Sequence, residues 1–563
     1  MNFVEDIRRR ILAAVKQALE EARKAGEVAF TQIPAFVLEV PREKQHGDFA
    51  TNVAMLMARE ARMNPRQLAE KIVAHIDRGD WLKDIQVAGP GFINFTLHHS
   101  WLYPVLPAVQ QSDAVYGASD AGAGRRVQVE FVSANPTGLL HMGNARGAAL
   151  GDTLANLLRL AGFDVQKEFY INDAGNQIEN FGKSLEARYL QLLGRDVPFP
   201  EEGYHGEDIV ETMRGLIAKE SDKYLNMESS LRREMLVKYA LREKLDAIRQ
   251  TLERFGVIYD VWFSEQSLHD SGAIQRTLET LRANGYIYEN EGALWFKATA
   301  LGEEKDEVLV RSNGIPTYFA ADIAYHKNKF DRGFDWVINI WGADHHGHVS
   351  RMKNAVQAVG YDPQKLDVIL MQLVRLYKGG EIVRMSKRTG QYITLDELVE
   401  EVGKDAARFF FVMRGADSHL DFDLDLAKSQ SSENPVFYVQ YAHARICSIL
   451  RTAQEAGYVV PQGSHDEGGL DLSVLDHPAE IALIRKIADL PDEVARAATQ
   501  MEPHRMARYA QDLAALFHSF YTHCRVLTDE KELRDARLLL VDDSRIVLRN
   551  VLHCMGLTAP ERM

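Results

Sequence analysis

A chain of 563 residues with 46% hydrophobic and 26% charged side chains has room for several domains with ample core, and nothing in it indicates disorder. Its net charge of −14 argues against a protein that coats nucleic acid indiscriminately, so a nucleic-acid partner must meet local positive patches. Three widely spaced cysteines, Cys447, Cys524 and Cys554, exclude a dense disulfide framework or a Cys-x-x-Cys zinc site and suit a reducing cytoplasm, and the His-Cys pairs at 523–524 and 553–554 read as core residues.

Residues 1–115 read as a small α+β module. The pattern predicts a helix over Val4 to Ala25, a strand around Ala35 to Val40, and a turn at 47–52 leading into another helix. Asn64, Pro65 and Gln67 then supply an N-cap, an N1 proline and an N3 partner. Ile85 to Ala88 and Phe92 to Leu97 bracket Gly89-Pro90-Gly91 and predict a hairpin. Glu5, Asp6 and then Arg8 to Arg10 are not followed by a long apolar stretch, so the start does not read as a secretory signal. The stretch 89–112 lacks acidic, Lys and Arg side chains, but its prolines and glycines argue against a membrane span.

The centre of the chain is 127–177. Val127, Val129, Phe131 and Val132 predict a strand that Asn135, Pro136, Thr137 and Gly138 break. Leucines at helical spacing from His141 to Gly162, then β-formers from Val165 to Ile171, complete a β-α-β unit. The mouth of such a helix presents N–H groups and a dipole that favour phosphate. There His141 can donate to a phosphate and Gly143 lets a ligand lie close, although one histidine and one glycine at a helix start also serve ordinary capping.

Between about 178 and 300 the pattern lapses into charged helices, including Glu228 to Phe255, before WFSEQ and GALWFKA resume β character; this reads as an insertion between two halves of a parallel sheet. The second half opens with Glu307 to Arg311 and IPTYFAADIAYH, then DWVINIWGADHHGH and KLDVILMQLVRLY, three apolar strand-like segments. Crossover units place ligands at the carboxyl ends of strands, where His141, Asp344 and the basic loop 384–390 fall. Taken alone, that loop is a solvated charge run. His345, His346 and His348 have no thiolate nearby and only the adjacent Asp344 as a carboxylate, so they read as pocket lining and no metal site is assigned. From Asn434 onward the chain turns helical, with a loop at 461–469 and amphipathic helices from Pro478. Phe437, Tyr438, Tyr441 and His443 are possible base-stacking groups, but an aromatic stripe is more often core, and most are expected to be buried.

The pairing of His-Met-Gly-Asn at 141–144 with Arg-Met-Ser-Lys-Arg at 384–388 resembles the two signatures of class I aminoacyl-tRNA synthetases. The segments ANPTGLLHMGNARGA, YINDAGNQI, WGADHH, NPVFYVQYAHARI and APERM are similar to the bacterial arginyl branch of that family, and the resemblance runs over essentially the whole chain. Asn144 stands where the family has a second histidine and Arg384 where it has a lysine; Asn144 can donate a hydrogen bond but cannot carry charge.

The resemblance implies an α/β protein: a Rossmann-like parallel-sheet catalytic domain at 116–430, a small α+β N-terminal domain at 1–115 that grips the outer corner of the tRNA, and an α-helical anticodon-binding bundle at 431–563. It implies that L-arginine and ATP, with Mg²⁺, give arginyl-adenylate and pyrophosphate, and that arginine then passes to the 3′-terminal ribose of tRNA(Arg). The catalytic residues would be His141, Asn144 and Lys387. ATP would be held by His141, Gly143, Asn144, Asp344, Met385, Ser386 and Lys387, and arginine by Glu130, Asn135, Tyr318, Asp322 and His345. Glu130 has a plainer reading as a buried acid paired with Arg146 or Arg311. Phe92 and Asn94 would meet an unpaired tRNA base, with a core role for Phe92 as the other reading. A cytoplasmic monomer that needs tRNA for activation and carries no editing domain completes the expectation. Two other classes stay open, an RNA-independent adenylyl-transferase and a catalytically silent tRNA-binding paralogue.

Overall fold

The computed structural model describes residues 2–41, 43–383, 393–461 and 470–563, apart from the Lys44 side chain. Residues 384–392 and 462–469, and with them the basic loop and most of the 461–469 loop, lie outside the described residues.

Helix α1 (Phe3–Lys24) starts on Asn2, whose side chain accepts from the Glu5 amide, and buries Ile7, Ile11, Val15, Ala18 and Ala22 along one face. Strand β1 (Phe49–Thr51) leads into α2 (Val53–Met57) and α3 (Pro65–Ala74), where Asn64 caps the Arg66 amide as expected. The expected hairpin is β2 (Leu82–Ala88) and β3 (Phe92–Leu97), and β1 adds on the far side of β3. Residues 35–40 are not a strand. They make a single bridge, Glu39 to Ala50, because β1, inside the expected turn, is too short to template a longer pairing. Helix α4 (Val105–Ser112) then leads towards the central core.

That core is a five-stranded parallel sheet. It is built from β4 (Arg126–Glu130), α5 (Met142–Leu160), β5 (Asp164–Ile171), the helices α6 (Asn176–Leu192), α7 (Glu207–Glu220) and α8 (Ser229–Arg254), and β6 (Val261–Ser264). After α9 (Gln266–Asp270) and α10 (Ala273–Ala283), β7 (Ile287–Asn290), β8 (Ala293–Phe296) and β9 (Glu307–Val310) form a separate antiparallel sheet. The chain returns through α11 (Tyr318–Asp331), β10 (Trp336–Gly342), α12 (His346–Ala358) and β11 (Leu366–Met371). The strand order β11-β10-β4-β5-β6 puts the reversal of winding between β4 and β10.

The stretch 178–300 is therefore divided. Its helices α6 to α8 pack around their own core of Phe181, Leu185, Tyr189, Met213 and Leu236, whereas Val261–Ser264 is the edge strand of the main sheet. Three strand-like expectations are corrected. The run from Ile315 to His326 holds α11, started by Thr317 accepting from the Ala320 amide and carried by Ala320, Ala321 and Ala324. Glu307–Val310 pairs with β8, outside the main sheet. The Val374–Lys378 segment is also outside it: this strand, β12, pairs with β13 (Glu381–Ile382) and, beyond α13 (Leu395–Val402) and α14 (Lys404–Val412), with β14 (Leu420–Asp423).

Helix α15 (Leu424–Lys428) leads to the bundle α16 (Pro435–Glu455), α17 (Pro478–Ala488), α18 (Leu490–Thr499), α19 (His504–His523) and α20 (Lys531–Cys554). The three cysteines are buried, but His523 and His553 beside two of them are exposed. The bundle closes back on the earlier chain. Tyr103 and Tyr116 donate to the Leu475 and Ile487 carbonyls at 3.2 and 3.0 Å, and Gln110 donates to Asp542 and Asp543 at 2.9 and 2.7 Å.

Helix α5 is the inner wall of the molecule, buried from Ala145 to Ala155 and made largely of Ala and Gly. Small residues let it approach the sheet closely: a Cβ at Gly151 would overlap the Phe131 ring. Buried Asp152 is held by Lys167 of β5 at 3.0 Å and Arg408 of α14 at 2.7 Å. Burial pushes its pKa up, but the two cations outweigh that and hold it below the ordinary carboxylate value. Arg408 also donates to the Met555 carbonyl at 2.8 Å and the Phe255 carbonyl at 3.1 Å. Overpacking at Gly151 gives the first prediction. Gly151→Ala lowers stability towards the upper part of the 1–3 kcal/mol range, about 3 kcal/mol, which exceeds the ~1 kcal/mol that Ala gains over Gly in a helix. Urea unfolding measures the difference, and unchanged or raised stability would mean that Phe131 can withdraw.

Candidate active site

Strand β4 ends at Glu130, and the next turn is strained. Val132 and Ser133 have φ of +68° and +40°, and a β-branched residue in the left-handed region is unfavourable by roughly 1–3 kcal/mol. Three bonds hold the turn: the Ser133 amide to the Phe131 carbonyl at 3.0 Å, the Ser133 hydroxyl to Glu130 at 2.9 Å, and the Tyr170 amide to the Ser133 hydroxyl at 3.2 Å. The Tyr259 hydroxyl adds a bond to the Phe131 carbonyl at 2.9 Å. Strain kept in place by so many partners marks a site, and the turn leads directly to exposed Asn135.

His141 is the N-cap of α5. Its Nδ1 accepts from the Gly143 amide at 3.1 Å, while the Asn144 side-chain carbonyl accepts from the His141 amide at 3.0 Å. Two consequences follow. With Nδ1 accepting, the neutral imidazole carries its proton on Nε2, and desolvation lowers its pKa, so it acts as an uncharged donor. Asn144 spends its oxygen on the capping box, which leaves its amide as the only group of its side chain able to donate to a ligand. Lys387, Met385 and Ser386 lie outside the described residues, but the chain re-enters beside His141: Thr394 bridges His141 and the Leu395 amide donates to the Leu140 carbonyl at 2.8 Å. From the next turn of α5, buried Arg146 donates to the Gln372 and Gly415 carbonyls, both at 2.8 Å, tying the helix to the starts of β12 and β14.

A second group of side chains gathers at the carboxyl ends of β5, β6 and β10. Tyr318 and Asp322 are one turn apart on α11, and the Tyr318 ring lies 3.5 Å from where a Cβ of Gly175 would be. Asp322 is 3.3 Å from His348 Nε2, and the His345 and His348 rings lie 6.1 and 5.5 Å from the Trp341 ring. Asp344 and His345 are exposed on the short turn after β10. Among the described residues no three of His, Cys, Asp and Glu are grouped to hold a metal ion.

The sequence reading overlooked Glu265. It is 4% exposed, follows β6, and hydrogen-bonds Tyr170 with Asp322 and Asp173 close by. Burial first, and then these neighbouring acids, push its pKa up to about 7. The signal was an acid directly after a short strand-like run, WFSEQ, hidden while that run was assigned to an insertion. Asp173 is already satisfied, accepting from the Ser264 hydroxyl at 2.6 Å and the Gln266 amide at 2.9 Å. A carboxylate pair walled by aromatic rings has the chemistry to receive a planar organic cation.

Glu130 is buried, and its partner is Lys329 of α11 at 2.5 Å; Arg146 instead binds carbonyls. On the hairpin, Phe92 is 37% exposed whereas Asn94 is 8% exposed. On the bundle only His443 of the four aromatic candidates is buried. Phe437 and Tyr438 are half-buried and Tyr441 is 43% exposed, because they face outwards between α16 and α19. There Phe437 stacks on Tyr441 at 6.2 Å, His518 lies 6.2 Å from Tyr441, and Arg445 sits 4.6 Å over Tyr521.

Comparison with known proteins accounts for all three parts of this architecture. Residues 9–97 match the arginyl tRNA synthetase N-terminal domain, 106–414 the catalytic domain of class I (R) tRNA synthetases, and 439–563 the DALR anticodon binding domain. An arginine–tRNA ligase of Heliobacterium modesticaldum is 93% identical over 563 residues, and one of Moorella thermoacetica 66% identical over 564, each comparison covering 100% of both chains. The structure of Thermus thermophilus arginyl-tRNA synthetase superposes with a TM-score of 0.73 at 25% identity, over 99% of this chain and 100% of that one. The fold agrees with these matches, and the chain belongs to the arginine–tRNA ligase family of class I aminoacyl-tRNA synthetases.

Proposed function

We propose that the chain activates L-arginine with ATP and transfers it to the 3′-terminal ribose of tRNA(Arg). The observation that carries this reading is the placing of two complementary receptors along one sheet edge. One is a helix mouth of N–H groups with a neutral imidazole donor, suited to phosphate. The other is a carboxylate pair with aromatic walls, suited to a guanidinium. Tyr170 bridges them, bonding Ser133 through its backbone and Glu265 through its hydroxyl.

In this reading Asp322 and Glu265 take the guanidinium and Tyr318 covers its face, with His345 at the rim. A planar fork satisfies two carboxylates at once, whereas a lysine ammonium cannot, which gives selectivity without an editing site. Glu130 and Asn135, on either side of the strained turn, hold the α-amino end. The arginine carboxylate then attacks the α-phosphorus of ATP in line and pyrophosphate leaves. His141 donates through Nε2–H, the amides from Gly143 onward and the Asn144 amide line the phosphates, and Asp344 takes the ribose hydroxyls. Lys387, with Met385 and Ser386, completes the charge stabilisation from 384–390, and Mg²⁺ carried by the ATP would add neutralising charge. The 2′-OH of the terminal tRNA ribose receives the arginyl group.

For the tRNA, Phe92 is the group the N-terminal hairpin offers to an unpaired base, with Asn94 set into the sheet behind it. Tyr441, Tyr521 and Arg445 form the exposed stacking face of the bundle. No helix among the described residues is long and apolar enough to cross a membrane. A cytoplasmic monomer of segments 1–115, 116–430 and 431–563 is our reading of the chain's organisation.

Arginine-dependent exchange of pyrophosphate into ATP tests the activity. Exchange is expected only with tRNA present, and exchange with arginine alone removes that requirement; exchange with a different acid, or binding without exchange, overturns the activity itself. Glu265 sets the pH dependence. With a pKa of about 7 in the empty site it is neutral below that pH, and only the ionised form attracts the guanidinium, so the KM for arginine rises as pH falls through 7. Glu265→Gln raises this KM by about 30-fold or more and flattens the profile. A flat wild-type profile removes Glu265 from the pocket. Tyr521→Ala and Tyr441→Ala each raise the KM for tRNA about 5-fold or more, the loss of one stacked base, with the KM for arginine unchanged; an unchanged tRNA KM moves the stacking face elsewhere.

A further inference from the structure

We propose that Lys329, Asn339 and His326 form a hydrogen-bonded chain of fixed direction that positions both ends of the amino-acid pocket, with Lys329 as its principal positioning residue. All three side chains are buried. Lys329 Nζ donates to Glu130 at 2.5 Å and to the Asn339 carbonyl oxygen at 2.8 Å, and lies 4.4 Å over the Tyr325 ring. Asn339 Nδ2 and His326 Nε2 are 2.8 Å apart, and His326 Nδ1 is 2.8 Å from the Asp322 backbone carbonyl.

Only one assignment of hydrogens satisfies these contacts. The Asp322 carbonyl can only accept, so His326 carries its proton on Nδ1. A lysine can only donate, so Asn339 turns its oxygen to Lys329 and its amide to His326, whose Nε2 accepts. A buried neutral histidine fits this arrangement, and burial and then the neighbouring Lys329 both lower its pKa. The groups facing His326 across the packed elements are Lys329 and the Asp322 carbonyl on its own helix, Asn339 on β10, and His348 on α12.

The two ends of the chain are what give it a role. At one end, Glu130 stands directly opposite Asn339 in the β4–β10 register, and Lys329 pins its carboxylate. At the other, the bonded carbonyl belongs to Asp322, the residue proposed to meet the guanidinium. The pocket ends lie on different elements, and this chain sets the distance between them. A site that must match the length of one substrate needs such a spacer, and a buried ion pair is better attested for fixing geometry than for adding stability.

The inference rests on the arginine pocket proposed above, and steady-state exchange with the full-length enzyme and tRNA separates the two. Wild-type enzyme with no arginine dependence sinks the pocket, whatever the variants do. With that dependence present, Lys329→Met raises the KM for arginine about tenfold while the KM for ATP stays within about twofold. Asn339→Leu, which keeps the Glu130–Lys329 pair and so avoids an unpaired buried charge, raises the arginine KM in the same selective way. If Lys329→Met does not fold, this second variant decides alone. Glu130→Gln and Lys329→Met combined are no worse in kcat/KM for arginine than the poorer single variant, since both act through one carboxylate. An unchanged arginine KM in Asn339→Leu, equal loss for ATP and arginine, or simple additivity in the double variant overturns the proposal.

Discussion

Asp152 sits in the middle of a helix sealed by protein on every side, and an isolated carboxylate there would be prohibitively unfavourable. Lys167 and Arg408 make it tolerable, and the two cations come from different parts of the chain. Lys167 belongs to the same β-α-β unit as Asp152. Arg408 comes from α14 and satisfies its remaining donors on carbonyls at the ends of α8 and α20. The helix capped by His141 is thus held at its centre by a charge cluster that also fixes the helical insertion and the C-terminal bundle.

The same economy appears at the helix mouth. One side-chain atom of His141 and one of Asn144 are used to finish the helix, so the two residues that open the helix mouth also build its cap. Asn144 makes its part of the cap with a neutral side chain. What the helix mouth offers is dipoles, and a phosphoryl-transfer reaction demands positioned charge more than proton transfer.

Features set by local chemistry were legible in the sequence. The β-α-β unit, the Asn64 cap and the 82–97 hairpin depend on neighbours a few residues away, and all three form. Features set by distant partners were not. Residues 35–40 have β-formers but no long strand to pair with. The Tyr318 helix is rich in strand-forming aromatics but is started by a threonine cap and carried by alanines. Val261–Ser264 is four residues long, too short to announce that it closes the main sheet, and that hid Glu265. Lys329 was invisible for the same reason, since a lysine on a helix reads as surface until the acid it faces, 199 positions earlier, is folded against it. The aromatic residues of α16 were misjudged in the other direction: helical spacing shows that they share a face, not that another helix covers it.

Arg408 also bears on the order in which the chain becomes whole. A ribosome releases residue 152 long before residue 408, and residue 408 long before the Met555 carbonyl that takes one of its donors. Until then the emerging sheet holds an acid matched by one lysine, and later a guanidinium short of an acceptor, each in a place that water would have to enter. A chain made only that far has the helix mouth at 141–144 but lacks one acceptor of the charge cluster that closes the wall behind it.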